Sequence, residues 1–192
     1  MGRPRQFDPD EVLGQCVQLF WSKGYGATSL DDLLRETGLA RQSLYNGFGG
    51  KHALFLAALR RYEEQSGERM RSCFAGAGPV RKALRGFMMG IVDRAGEQRR
   101  RGCFMVNSAV ELFPHDPETA RLVAAQHRFM EKVLRDALER AQERGELSPE
   151  KDPRALARFL VAVLHGLNVA SKANADRATL QDVVRVALQA LD

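Results

Sequence analysis

Apolar positions recur every three to four residues along most of the chain, and no stretch alternates in the manner of a strand. The starts of several of these runs are marked in the same way. Asp-Pro occurs at 8–9, 116–117 and 152–153, each time just ahead of an amphipathic run. Aspartate can accept a hydrogen bond from a free amide of the first turn, and proline at the first helical position wastes no donor. The first run carries Val12, Cys16, Leu19 and Phe20 and stops near Gly24. The second carries Leu122, Phe129, Met130, Val133, Leu138 and Ala141 and stops at Gly145; the third carries Leu156, Phe159, Leu160, Val163, Leu164 and Leu167. Further helices are predicted from Lys51 into the seventies, from Gly78-Pro79 through Ile91, over 103–113 up to Pro114, and along Leu180–Leu191. The pattern predicts an all-α protein of about nine helices.

Between the first run and Lys51 lie two shorter helices. In "TSLDDLLRETG" Thr28 is the expected cap, with Asp31 as its capping-box partner and Leu30, Leu33 and Leu34 facing inward. Gly38 permits the left-handed backbone that ends a helix sharply. The following "LARQSLYNGF" has Leu39, Leu44 and Phe48 on one side and Arg41, Gln42, Ser43, Tyr45 and Asn46 on the other. Two short helices joined by a glycine turn and held by a preceding helix make a helix-turn-helix, whose second helix offers its polar face to a DNA major groove. Arg41 and Gln42 suit base edges, and Ser43 a base or phosphate at close range. Thr28, Tyr45, Asn46 and Lys51 are placed for the phosphate backbone. Arg3 and Arg5 precede the first helix on an arm suited to a minor groove.

The stretch "TSLDDLLRETGLARQSLYNGFGGKHALF" resembles the signature of TetR-family transcriptional regulators: a threonine at the second helix, a glycine turn, then Leu-Tyr, Phe and Lys at fixed offsets. The resemblance covers about residues 9–56. It implies a homodimer with a DNA-binding head at 1–50 and a divergent helical domain at 51–192 that dimerises and binds a small-molecule effector. It implies phosphate contacts from Thr28, Tyr45 and Lys51, and groove positions for Arg41, Gln42 and Ser43. One departure is visible, since Gly47 stands where these proteins usually carry an aromatic ring. A helix that frays at Gly47 is the corresponding expectation.

Charge alters the picture less than its net value of +5 suggests. Residues 1–59 are neutral, 60–102 carry +6, and 103–192 carry −1, so the head itself holds no surplus. DNA binding must therefore rest on where its charges sit. Cys16, Cys73 and Cys103 are odd in number and form no CxxC pair, so neither a disulfide framework nor a metal site is expected. The best apolar candidate for a span, "FLVAVLHGLNVA", is too short and holds His165 and Asn168. No secretory pattern is visible, and a cytoplasmic location is expected.

In the carboxy-terminal part, the dimer face is placed on the last two helices, through Phe159, Val163, Leu167, Val184 and Leu188, as half of a four-helix seam. Met88, Cys103, Phe104, Asn107, His127 and Met130 are the candidate effector contacts, with His165 and Asn168 as alternatives for the polar role. No cofactor is expected. Three arginines precede Cys103, which admits a redox or electrophile sensor if they reach the thiol, although packing is the commoner role. A thiol enzyme using Cys103 and His127 lacks an orienting third group, so no catalysis is expected. A DNA-binding protein of the same fold without a small-molecule effector is the remaining alternative.

Overall fold

The computed structural model describes residues 7–192, so Arg3 and Arg5 lie outside the described residues. Each Asp-Pro pair opens a helix: α1 (Pro9–Lys23), α8 (Pro117–Glu143) and α9 (Pro153–Lys172). In each the aspartate carboxylate accepts a hydrogen bond from the amide two residues on, at Asp10, Glu118 and Arg154. Between α1 and α8 run α2 (Leu30–Thr37), α3 (Arg41–Phe48), α4 (Lys51–Phe74), α5 (Val80–Val92), α6 (Gly96–Arg101) and α7 (Phe104–Leu112), and α10 (Arg177–Gln189) closes the chain. The described residues hold these ten helices and no strand, in keeping with the all-α pattern.

The addition to that pattern is α6. Its sequence, GEQRRR, buries no side chain and so leaves no apolar period to read. Long-range arginine contacts hold it in place. Arg99 donates to the carbonyls of Ser171 and Ala175 at the end of α9, while Arg101 pairs with Glu97, donates to Gln18 of α1 and lies over the Trp21 ring.

The cap of α2 also differs from expectation. Ser29, not Thr28, accepts from the Asp32 amide, and Asp32 returns the bond to the Ser29 amide, both at 3.0 Å. The capping box is thus Ser29–Asp32, and Asp31 is left outside it. Thr28 is wholly buried, its hydroxyl donating to the Gly24 carbonyl at 2.6 Å. The extended backbone needed at a cap falls at Ser29, which turns the preceding threonine inward.

Two cores result. One gathers α1, α2, α3, the first half of α4 and the start of α7, through Phe20, Leu33, Leu44, Phe55, Leu59, Tyr62, Phe104 and Met105. The other gathers the second half of α4 with α5, α8, α9 and α10. The head's core therefore runs past residue 50 as far as Tyr62, and α4 belongs to both. Because Ser29 holds the first turn of α2 reciprocally, Ser29→Ala should cost about 1 kcal/mol in chemical denaturation, and Thr28→Ser should leave α2's capping intact.

Candidate functional site

The candidate reading surface is α3. Leu44 is fully buried against α4, which points Arg41, Gln42, Tyr45 and Asn46 outward. Before any ligand arrives their polar ends are lightly tied. Arg41 pairs with Asp31 at 3.2 Å across the turn, and Gln42 donates to Asn46 one turn on at 2.9 Å. Both contacts are solvent-exposed, where such pairs contribute ~0–1 kcal/mol and exchange readily for a stronger partner. Ser43 is half-buried, and the Lys51 ammonium rests 4.3 Å from the centre of the Tyr25 ring. Thr28, expected as a phosphate contact, is buried with its hydroxyl turned to the Gly24 carbonyl and not to the surface.

Gly47 has a visible reason. A Cβ there would come within 3.0 Å of the Phe7 ring, which packs beside Phe48. Phe7 thus occupies the space that an aromatic ring at position 47 would need, and α3 continues to Phe48 without fraying.

The head is also clamped from outside. Glu111, on α7, accepts from the amides of Tyr25 and Gly26 in the α1–α2 loop at 3.0 and 2.6 Å. Nothing in the periodicity marks Glu111, because its partners are backbone groups 85 and 86 residues away. Next to it, His52 of α4 meets the cap of α8, its Nε2 lying 2.7 Å from Asp116. Burial tends to raise the Asp116 pKa, but hydrogen bonds from Thr119, His52 and the Glu118 amide outweigh it and hold the carboxyl down at about 2.

A cavity of about 420 Å³ opens where the two cores meet. Tyr62, Cys103 and Met105 come from the head side; Met70, Ile91 and Leu164 come from the other. Of the expected effector contacts, Cys103 and Met130 line it, as do His165 and Asn168. Met88, Phe104, Asn107 and His127 do not, and helical geometry explains each. On α5 the cavity stripe is Gly86, Phe87, Gly90 and Ile91, which turns Met88 into the body core with no exposure. On α8 it is Gln126 and Met130, four apart, which leaves His127 on the exposed flank beside His165. Phe104 faces Phe55 and Tyr62 edge-on. Asn107 donates to the Arg101 carbonyl and accepts from Lys172.

Pattern reading missed Tyr62, Arg94 and Gln126 among the lining residues. Gln126 is a buried amide on α8 next to His127, within reach of the same stripe argument.

Cys103 is half-buried, and Tyr62 Oη donates to its sulfur at 3.6 Å. Arg99 and Arg101 direct their guanidinium groups to the end of α9 and to α1. Burial, and then Glu36, push the Cys16 thiol up to about 12. Burial, and next His127, hold the His165 imidazole below its usual value.

The expected dimer residues divide as well. Leu167, Val184 and Leu188 are buried within the chain's own body core. Phe159 is 43% exposed, Val163 is half-buried, and the face continues through Val169, Val183 and Val186. Phe159 and Val163 of the expected face thus remain uncovered, while Leu167, Val184 and Leu188 pack into the chain's own core.

A three-helix reading head locked to a helical body defines a DNA-binding regulator of transcription. Residues 13–58 match the family described as "Bacterial regulatory proteins, tetR family", and residues 80–187 match "Tetracyclin repressor-like, C-terminal domain". The chain belongs to the TetR family. It is 40% identical to the HTH-type transcriptional regulator YezE of Bacillus subtilis (strain 168), over the full length of both. It is 32% identical to the HTH-type transcriptional repressor ComR of Escherichia coli (strain K12), covering 98% of this chain and 90% of that one. Among solved structures, a cysteine mutant of the TetR family regulator CifR complexed with 26-bp operator DNA superposes with a TM-score of 0.85, at 31% identity over all of both chains. Among the described residues no helix is long and apolar enough to cross a membrane, and no side-chain cluster could hold a metal ion.

Replacing Glu111 by Gln should weaken the clamp on the α1–α2 loop, because a neutral amide offers one acceptor where the carboxylate offers two. Amide hydrogen exchange should accelerate at Tyr25 and Gly26 while Leu44 and Leu138 keep their protection. Unchanged exchange in the loop would show that the carboxylate does not hold it.

Proposed function

We propose that the protein is a homodimeric repressor that binds a two-fold symmetric operator in the cytoplasm and is released from it by a small molecule. The observation that carries this reading is the position of the cavity. It is wedged between the two cores, with walls drawn from α4 and the α6–α7 corner, which also hold the head. A ligand that fills it favours one relative placement of head and body, and differential affinity for two placements is what a switch requires. Repression is supported by the name of the ComR relative, and operator binding by the CifR complex.

On the DNA, Arg41 and Gln42 take the base edges, with Ser43 at close range, while Tyr45, Asn46 and Lys51 hold phosphates. Freed from the Tyr25 ring, the Lys51 ammonium gains a full counter-charge. The uncovered face of α9 and α10, centred on Phe159, Val163, Val169 and Val186, is the surface on which two copies meet. Two heads held this way present two α3 helices to successive major grooves.

Selection of bound duplexes from a random pool tests the whole reading, since an inverted-repeat consensus requires both DNA binding and two-fold symmetry. On the selected operator, Gln42→Ala should relax preference at one base-pair position per half-site and cost roughly 1–3 kcal/mol. Lys51→Ala should weaken all duplexes alike and reduce the salt slope by about one ion. Uniform weakening by Gln42→Ala would remove Gln42 from base reading.

The interface makes a separate demand. Phe159→Glu should yield folded monomers by light scattering, with operator affinity falling although the head is untouched. Leu188→Glu should instead unfold the chain, because it buries an unpaired charge in the body core. A folded Phe159→Glu dimer of normal mass would place the interface elsewhere.

A further inference from the structure

The cavity carries a charge that the protein does not neutralise. Arg94, which follows α5 and lines the cavity, has no carboxylate within 4.0 Å among the described residues. Its hydrogen bonds go to neutral acceptors and use one nitrogen only: Nη1 donates to Asn168 Oδ1 at 2.7 Å and to the Gly102 carbonyl at 3.3 Å. The Nε–Nη2 edge, the pair of parallel donors that matches a carboxylate, makes no bond within the described protein. No aspartate or glutamate lines the cavity, while Arg69 and His165 join Arg94 there.

The remaining walls say what accompanies the anionic group. Met70, Phe87, Ile91, Met105, Met130 and Leu164 make the cavity largely apolar. Gln126 is only 8% exposed, yet its Oε1 has no partner, and a buried amide left in that state calls for a ligand or a solvent molecule. On α5, Gly86 and Gly90 open the wall, since a Cβ at either would meet nothing within 4 Å.

We infer that the cavity binds a small monocarboxylate with an apolar body, its carboxylate paired with the free edge of Arg94 and its body lying against the methionine and glycine wall. This inference rests on the effector reading above and gives that effector a chemical class. Asn168, itself anchored by donating to the Leu164 carbonyl, fixes the guanidinium so that the Nε–Nη2 edge is presented without a search over rotamers. A fixed fork of this kind discriminates between a carboxylate and its alcohol, because only the carboxylate accepts two parallel charge-assisted bonds.

The test uses the full chain and four probes: 3-phenylpropionate and octanoate against 3-phenylpropan-1-ol and octan-1-ol. Calorimetric affinity and release of the selected operator are measured for each. Both acids should bind at least tenfold more tightly than their alcohols and release the operator. Arg94→Met should remove that acid preference. Gly90→Leu, which keeps the arginine and fills the open wall, should weaken the acids at least tenfold, and it serves where Arg94→Met fails to fold. Equal or tighter binding of the alcohols, or an acid preference that survives Arg94→Met, overturns the carboxylate class. Operator release by alcohols that is lost in Gly90→Leu overturns the class while leaving the cavity's role in release standing. Binding by none of the four overturns the inference, whereas acids that bind the cavity and leave the operator bound count against the effector reading itself.

Discussion

The molecule depends on one continuous cluster of aromatic rings within the head's core, where α1, α4 and α7 meet. Phe20 meets Phe55 edge-on at 5.2 Å, Phe55 meets Phe104 at 5.7 Å, and Phe104 meets Tyr62 at 5.6 Å. These rings belong to α1, α4 and α7, so three segments distant in sequence share one set of contacts. Edge-to-face pairs contribute ~0.5–1.5 kcal/mol each beyond the area they bury. Their larger consequence is geometric. A close-packed cluster has few alternative arrangements, so a shift of α7 or α4 is passed to α1 and not absorbed.

Tyr62 and Cys103 close this cluster against the cavity. Burial is the main influence that raises the Tyr62 pKa, so its hydroxyl stays protonated and keeps donating to Cys103. From this point two routes lead to α3. Along α4, the helix lining the cavity at Tyr62, Ser66 and Met70 begins at Lys51, directly after the reading helix. Along α7, the segment opening with Cys103 at the cavity ends with Glu111 on the α1–α2 loop. The α4 route is legible as a long amphipathic helix. The second depends on one exposed carboxylate bonded to main chain, and it sets one end of α7 at the cavity and the other on the head.

What could be read from sequence follows the same division. Helix starts were legible because Asp-Pro acts locally, through a carboxylate and an amide two residues apart. The glycine turn and the polar face of α3 were legible for the same reason. The cavity was less so. Telling His127 from Gln126 depends on a rotation of one residue, about 100° around a helix axis. Periodicity identifies which face is apolar but not what that face meets. Leu167, Val184 and Leu188 illustrate this, since a stripe buried by its own chain and one buried by a second copy have the same period. The short α6 was invisible, because contacts from Arg99 and Arg101 to distant partners leave no repeating mark.

The distribution of charge resolves once those contacts are known. The surplus of +6 lies over residues 60–102, outside the reading helix. Arg61 reaches back to Asp10 on α1, Arg81 pairs with Asp192, Arg99 and Arg101 fasten α6, and Arg94 faces the cavity. Much of the positive charge therefore ties segments together, and Arg94 is left without a counter-ion where a ligand would enter. The head, neutral as a whole, sorts its charges by position instead: Asp32 is engaged with Lys23, Arg35 and the Ser29 amide, while Asp31 is held by Arg41. If Arg41 moves onto DNA as proposed, Asp31 is exposed at the edge of the groove, where its charge opposes the phosphates. That opposition weakens binding to every sequence equally, so it lowers affinity without lowering discrimination. For the ligand-released regulator proposed above, such a balance reduces the binding energy that an effector has to overcome.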